Sequence, residues 1–383
     1  MLLENKHNEY RERIRAFADE KIAPGAAKID EEQRFPKEYL PLLAGEGLLG
    51  MVVPEEYGGS PVDTISYSIA VEELSRVCGS TGITIAAHNS LGTFPINKFG
   101  SEDQKKKYLP RGTQGGELLA FGLTEPDAGS DAGATRTTAV KNDDHWVVNG
   151  TKCFITSASH AFASIATART SDEPGVKAIS SFIMEKEWEG YELGKKENKM
   201  GLRGSNTAFL HFTDVKVPLE NQLGALGEGF KQFMITLDGG RISIGAMALG
   251  LAQGAYDTAL KYAANAVING KPLGASQAIQ FKLADMATEI EAARYLIYGA
   301  SQMKDAGVKF SKESAMAKLY ASEVGRRVSH EAIQILGEVG LITGPYAAER
   351  IWRDVKLCEI GEGTSEVQRI VIGREVLKAA AGK

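Results

Sequence analysis

Four polar, glycine-bearing segments carry the side chains that could do chemistry. Phe121-Gly122-Leu123-Thr124-Glu125-Pro126-Asp127-Ala128-Gly129-Ser130-Asp131 follows an apolar run, and Lys152-Cys153-Phe154-Ile155-Thr156-Ser157 ends another run on hydroxyls. Leu237-Asp238-Gly239-Gly240-Arg241 opens a long helical pattern. Cys358-Glu359-Ile360-Gly361-Glu362-Gly363-Thr364-Ser365-Glu366 sets one carboxylate between two glycines, just ahead of the last helical pattern. The flanking glycines free the backbone to approach a ligand. A carboxylate in that position can act as a base once it is desolvated. Taken singly, each segment also reads as a turn or a helix start, since glycine beside Asp or Glu is common in loops.

Other chemistries find no support. No P-loop, His-Glu-x-x-His pair or Gly-x-Ser-x-Gly elbow occurs, and no Gly-x-Gly-x-x-Gly follows a strand. The 6 histidines are scattered without metal-ligand spacing, so no metal is expected. A net charge of −5 argues against attraction to nucleic acid or to an anionic membrane. Cys78, Cys153 and Cys358 are odd in number and far apart, unlike a disulfide framework, which points to a reducing, cytoplasmic setting. Met1-Leu2-Leu3-Glu4-Asn5-Lys6 turns polar at once and resembles no secretion or transit segment. No apolar stretch approaches the ~18 residues of a spanning helix.

The elements that must position these segments fall into helical, strand-rich and helical thirds. A chain of 383 residues with 43% apolar content has room for two or three closely packed subdomains. Ile14, Phe17 and Ile22 mark an amphipathic helix over 8–23, closed by Pro24-Gly25. Further helices are expected at 37–46, 64–77 and 81–98, and Ser101 with Gln104 has capping-box spacing for another. Between about 118 and 212, short β-branched and aromatic runs form a compact antiparallel unit, with turns at Lys141-Asn142-Asp143-Asp144 and at Asn149-Gly150. Helical periodicity returns near 228. Ile279, Leu283, Met286, Ile290, Ala293, Ile297 and Ala300 then make a long apolar seam, read as bundle core, and helices follow at 311–336 and 364–379. The run Lys105-Lys106-Lys107 reads as a solvated helix face.

Order and spacing together carry a resemblance. Val53-Pro54-Glu55-Glu56-Tyr57-Gly58-Gly59, Leu123-Thr124-Glu125-Pro126 through Gly129-Ser130, Lys216-Val217-Pro218, Gln334-Ile335-Leu336-Gly337 and Glu362-Gly363-Thr364-Ser365-Glu366 occur in the order of the acyl-CoA dehydrogenase family, which the chain resembles over nearly its whole length. The resemblance implies an α+β fold with an N-terminal helical domain over 1–118, a middle antiparallel β domain over 119–228 and a C-terminal four-helix bundle over 229–383. It also implies FAD, an acyl-CoA substrate, transfer of electrons to electron-transferring flavoprotein, and a homotetramer.

Residue by residue, the resemblance makes Glu362 the base that takes the α-proton while the β-hydrogen leaves as hydride to flavin N5. The product is a trans-2-enoyl-CoA. Oxyanion donors would be the backbone N–H of the base residue and a flavin ribityl hydroxyl. The flavin would lie against Phe121, Leu123, Thr124, Phe154 and Thr156, with the Thr156 hydroxyl near N5. Ser130 matches a position that contacts the pantetheine arm beside the cofactor. Asp238 and Arg241 match positions framing the CoA moiety, and Gly361 and Gly363 border the substrate around the base. Gln334, Gly337, Thr364 and Glu366 match the adenylate side of FAD, with Gln334 serving a neighbouring subunit.

Three departures stand out. Gly361 takes the place of a tyrosine, which implies room for branched or cyclic acyl groups. Ala266-Val267-Ile268-Asn269-Gly270-Lys271 replaces Arg-x-x-Phe-Gly-Lys, and Glu338 follows Gly337 where a second glycine is usual; both imply loosely held FAD, unless Lys271 or Arg326 compensates. Alternatives are a same-fold oxidase, a decarboxylating or desulfinating relative, and a non-catalytic CoA- or nucleotide-binding scaffold. A decarboxylating relative needs a cation near 84–92, where His88 is the one candidate substrate contact and also reads as a structural helix histidine.

Overall fold

The computed structural model describes residues 3–382, so Met1 and Leu2 of the N-terminal reading lie outside the described residues. Glu4 and His7 exchange capping hydrogen bonds that start α1 (Asn5–Phe17). The chain does not stop at Pro24-Gly25 as expected. It passes through a π turn at Ala18–Ile22 and a 3-10 turn at Ala23–Gly25 and continues as α2 (Ala26–Glu32). Pro24 falls in the first turn of a new helical segment, where its missing N–H leaves no bond unmade. After α3 (Tyr39–Gly45), Asp63 accepts from the Ser66 N–H and caps α4 (Thr64–Val77), which matches the expected bounds. Residues 81–98, expected as one helix, are α5 (Gly79–Ala87), a π turn at His88–Thr93 and α6 (Phe94–Phe99). Ser101 and Gln104 make the expected capping box of α7 (Glu102–Thr113). The Gln104 amide also donates to the Glu220 and Gln222 carbonyls, which ties that helix to the sheet.

The strands are β1 (Leu118–Gly122), β2 (Thr138–Lys141), β3 (His145–Thr156), β4 (Ala161–Arg169), β5 (Ile179–Glu185), β6 (Tyr191–Lys196), β7 (Thr207–Pro218) and β8 (Gln222–Leu223). They run in the order β6-β7-β3-β2-β4-β5-β8, with β1 on β4. Pairing is mostly antiparallel, but β1 runs parallel to β4, and Thr138 of β2 pairs in parallel with Arg169. Asn149-Gly150, expected as a turn between strands, is instead a bulge inside β3, where the register to β7 shifts. The Asn149 amide explains why the chain can bulge there: it donates to Asp214 and its oxygen accepts from the Asp214 N–H.

The long α8 (Gly229–Asn265) is buried on every side from Gly239 through Ala252. After a short hairpin of β9 (Val267–Ile268) and β10 (Lys271–Pro272), it packs against α9 (Gln277–Asp305), α10 (Ser311–Leu336) and α4. Small residues permit this closeness: Gly245 meets the Ala317-Lys318 backbone and Gly250 meets the Glu72 carbonyl. The α9 seam is core as expected, with Met286, Ile290, Ala293, Ile297 and Ala300 buried; truncating either isoleucine to alanine costs about 2–5 kcal/mol. Glu72 accepts from Arg11, Arg294 and Tyr298, a buried charge cluster clamping α1, α4 and α9 together. After α11 (Ala348–Asp354), α12 (Ser365–Ala380) lies along α10.

Candidate active site

Glu362 sits in the loop before α12 with φ +54, a left-handed conformation that a residue with a Cβ adopts at a cost of roughly 1–3 kcal/mol. Several bonds hold that conformation. The buried Lys318 ammonium of α10 donates to the Gly363 carbonyl at 2.6 Å. The Gln368 amide donates to the same oxygen at 2.9 Å and to the Glu362 carbonyl at 3.3 Å. The Thr364 hydroxyl caps α12 by accepting from the Val367 N–H. Upstream, the Ser322 hydroxyl donates to the Cys358 carbonyl.

The loop delivers the Glu362 carboxylate onto α8. A Cβ at Gly240 would overlap Oε2, and Leu91 of the π turn closes the same side. The residue as a whole is half-buried, yet Oε2 is sealed from solvent and has no hydrogen-bond partner among the described residues. Burial raises the carboxyl to about 7, and the positive charges of Lys318 and Arg241 offset part of that shift. Burial in turn brings the Lys318 ammonium down to about 8. Arg241 is buried too and pairs with Asp238, whose other oxygen takes the Ser311 hydroxyl at 2.6 Å; among the described residues the Arg241 Nε has no partner. A buried, unpartnered carboxylate titrating near neutrality, ringed by cations, has the properties of a general base.

A second cluster forms where β1 and β3 end. The Cys153 N–H donates to the Thr124 carbonyl, drawing the 121–131 segment onto β3. Underneath lies a buried ion pair: the Lys152 ammonium reaches Glu125 at 2.7 Å, Thr167 Oγ1 at 3.0 Å and the Leu123 carbonyl at 3.3 Å. The other Glu125 oxygen accepts from the Arg136 N–H at 2.6 Å. Burial lowers the Lys152 ammonium to about 8 against the opposing Glu125 charge, and its three contacts tie the loop to the strands. Phe121 stacks on Phe233 at 4.0 Å. Phe154, at φ +57, is 65% exposed with its ring 6.4 Å from that of Phe209, and Leu123, Thr124 and Thr156 are half-buried. An exposed aromatic face held on strained backbone and flanked by hydroxyls fits a flat conjugated ring such as a flavin.

The structure therefore brings Glu362, Gly361, Gly363, Asp238 and Arg241 together, and separately gathers Phe121, Leu123, Thr124, Phe154 and Thr156. Ser130 is exposed on the loop beyond the ion pair, and Glu366 is exposed in the first turn of α12. Gln334 and Gly337 are exposed at the far end of α10, apart from both clusters. His88 does not face a ligand. Its Nε2 engages the Gly112 carbonyl and its Nδ1 accepts from the Leu119 N–H, while burial lowers it to about 4, so it remains a neutral structural brace. Arg326 pairs with Glu359 rather than Glu338. Sequence reasoning singled out the segments holding Lys152 and Gly240 but not the buried ion pair or the space there, and it passed over Lys318. The lysines look like ordinary amphipathic charges, and only their contacts show them to be buried.

Family models of the acyl-CoA dehydrogenase N-terminal, middle and C-terminal domains match residues 4–116, 120–215 and 227–377. A probable acyl-CoA dehydrogenase, YngJ, of Bacillus subtilis is 50% identical over 369 residues, covering 96% of this chain and 97% of that one. Butyryl-CoA dehydrogenase from Megasphaera elsdenii superimposes with TM-score 0.96 at 44% identity, over 98% of this chain and 99% of the other. A chain in a structure described as the electron transferring flavoprotein of Acidaminococcus fermentans superimposes with TM-score 0.96 at 45% identity, over 99% of both. The chain belongs to the acyl-CoA dehydrogenase family, and it is an oxidoreductase of the acyl-CoA dehydrogenase class.

Proposed function

We propose that this chain dehydrogenates a short acyl-CoA thioester between its α and β carbons, giving the trans-2-enoyl-CoA, with FAD as cofactor and an electron-transferring flavoprotein as acceptor. The observation that carries the reading is the buried, unpartnered Glu362 Oε2 on a carboxyl raised to about 7. An α-proton beside a thioester is weakly acidic, so its removal needs a base of near-neutral pKa held in place without a competing hydrogen bond. Glu362 takes that proton. Lys318 and Gln368 fix the loop so that the carboxylate does not wander. The Glu362 N–H serves as oxyanion donor to the thioester carbonyl.

FAD, when bound, supplies the acceptor for the β-hydride. Phe154, Leu123, Thr124 and Thr156 hold its ring, with Phe121 behind them and Ser130 at the loop edge. Asp238 and Arg241 frame the CoA side. Gln334 and Gly337, far from both clusters within one subunit, reach FAD of a neighbouring copy, while Thr364 and Glu366 approach their own. The likenesses to butyryl-CoA dehydrogenase and to the flavoprotein structure support the short-chain preference and the flavoprotein acceptor. The division at 1–118, 119–228 and 229–383 separates the faces that enclose these ligands. Exposed Val267, Phe281, Ile370 and Leu377 support a homo-oligomer. Three free thiols support a reducing, cytoplasmic setting, and among the described residues no helix is long and apolar enough to cross a membrane.

The test is a visible spectrum of the purified protein followed by anaerobic addition of acyl-CoA thioesters. Bleaching of bound flavin by butyryl-CoA supports the reading; a flavin that no saturated acyl-CoA bleaches overturns it.

A further inference from the structure

Beside Glu362 lies a small cavity of about 10 Å³, lined by Val52, Tyr67, Ser90, Phe94, Gly239 and Lys304. It belongs to the same corner as the base, because Gly239 precedes the glycine that the Glu362 carboxylate abuts and Ser90 precedes Leu91. The Glu362 charge also reaches the Tyr67 phenol. At the cavity's other wall stands Lys304, from the last turn of α9. Its ammonium lies 5.6 Å from the Phe94 ring centroid and 3.5 Å from where a Cβ on Gly239 would be. The adjacent Asp305 gives it no ion pair: that carboxylate is committed to α4, accepting from the Thr64 N–H at 2.9 Å and the Thr64 hydroxyl at 2.5 Å. Burial accordingly lowers the Lys304 ammonium, with Asp305 as its opposing charge.

We propose that Lys304 closes the distal end of the acyl pocket and sets the length of chain the enzyme accepts. This rests on Glu362 being the base, since carbons added beyond a butyryl chain would then have to enter the cavity. The space has room for about one water, which suits an ammonium that has no carboxylate partner among the described residues. A butyryl chain ends before the ammonium and leaves that water in place. A longer chain must displace it and press methylenes onto a charge. Desolvating an unpaired cation outweighs the gain from burying a methylene, so each further pair of carbons is rejected.

The experiment compares kcat/KM for butyryl-, hexanoyl- and octanoyl-CoA in the flavin-loaded parent, Lys304→Met and Lys304→Arg. Methionine has similar length without charge, so the octanoyl-to-butyryl ratio should rise at least about tenfold, while arginine should keep the parent's ratio. A merely structural lysine would lower all three substrates together and leave the ratio unmoved, and that result overturns the proposal. Should Lys304→Met fail to fold, Lys304→Gln, neutral and polar, takes its place under the same criterion, and equal turnover of octanoyl- and butyryl-CoA by the parent also contradicts a stop at Lys304. Failure of the underlying reading looks different, because Glu362→Gln would then reduce flavin with butyryl-CoA as fast as the parent.

Discussion

Gly240 of α8 and Glu362 of the loop before α12 occupy one another's space: the carboxylate Oε2 lies where a side chain on Gly240 would begin. The base is therefore placed by an absence on the facing helix as much as by its own loop. Alanine at this buried helical position suits the helix itself, but its methyl group must push the carboxylate away. Gly240→Ala should keep bound flavin and lower kcat by about a hundredfold, as expected for a reacting group displaced by about 1 Å. Stopped-flow flavin reduction measures it; a rate within a few-fold of the parent's would show that the contact is incidental.

The Glu125–Lys152 pair should matter for stability and for flavin. Lys152 is fully buried, and removing it leaves a buried carboxylate without its counter-charge. Lys152→Met should destabilise the protein by about 3–5 kcal/mol, visible in denaturant unfolding. Flavin content should fall as well, because the 123–131 loop loses its anchor. Unfolding at the parent's midpoint with full flavin content would contradict this account.

Stability should carry the mark of Glu362 in its pH dependence. Burial raises this carboxyl from 4.5 to about 7, so between those values the folded chain keeps a proton that the unfolded chain has released. The protonated form's contribution to stability is full below the lower value, declines as pH rises, and is lost above the upper one. Glu362→Gln lacks this titration. With saturating FAD and no acyl-CoA, its stability relative to the parent should improve from about pH 5 to about pH 8, by up to ~3 kcal/mol. A constant difference across that range would mean the carboxyl is not raised in the folded protein.

Much of the fold was legible because local signals and tertiary packing agreed. Thr64–Val77, Ser311–Leu336, the Ser101–Gln104 capping box and the α9 seam all follow from periodicity and caps. Where the two diverged, the reading failed for a physical reason. Pro24 did not end the helical run because it fell in a first turn, and Asn149-Gly150 did not end a strand because Asp214 stabilised a bulge. The strand Ala161–Arg169 had no clear signal, since its alanines pack well only under the neighbouring strands. In the site, the flanking glycines of Glu362 read equally as a turn, and it was the family resemblance that singled the residue out as the base. Lys318 and Lys304 were not legible, because a lysine on an amphipathic helix looks solvated until its neighbours are known. His88 stood open between a substrate contact and a structural histidine for the complementary reason: position in a helix does not reveal that both ring nitrogens are engaged by backbone.

The central claim is that the Glu362 carboxylate removes the α-proton, and anaerobic single-turnover reduction of bound flavin by butyryl-CoA tests it most directly. The parent should bleach rapidly, with a rate that rises as pH passes through about 7 in step with the raised carboxyl. Glu362→Gln is nearly isosteric and should retain flavin and fold, yet reduce it slower by several orders of magnitude. Flavin reduction by that variant at a rate near the parent's would contradict the account, since the proton would then be leaving by another route.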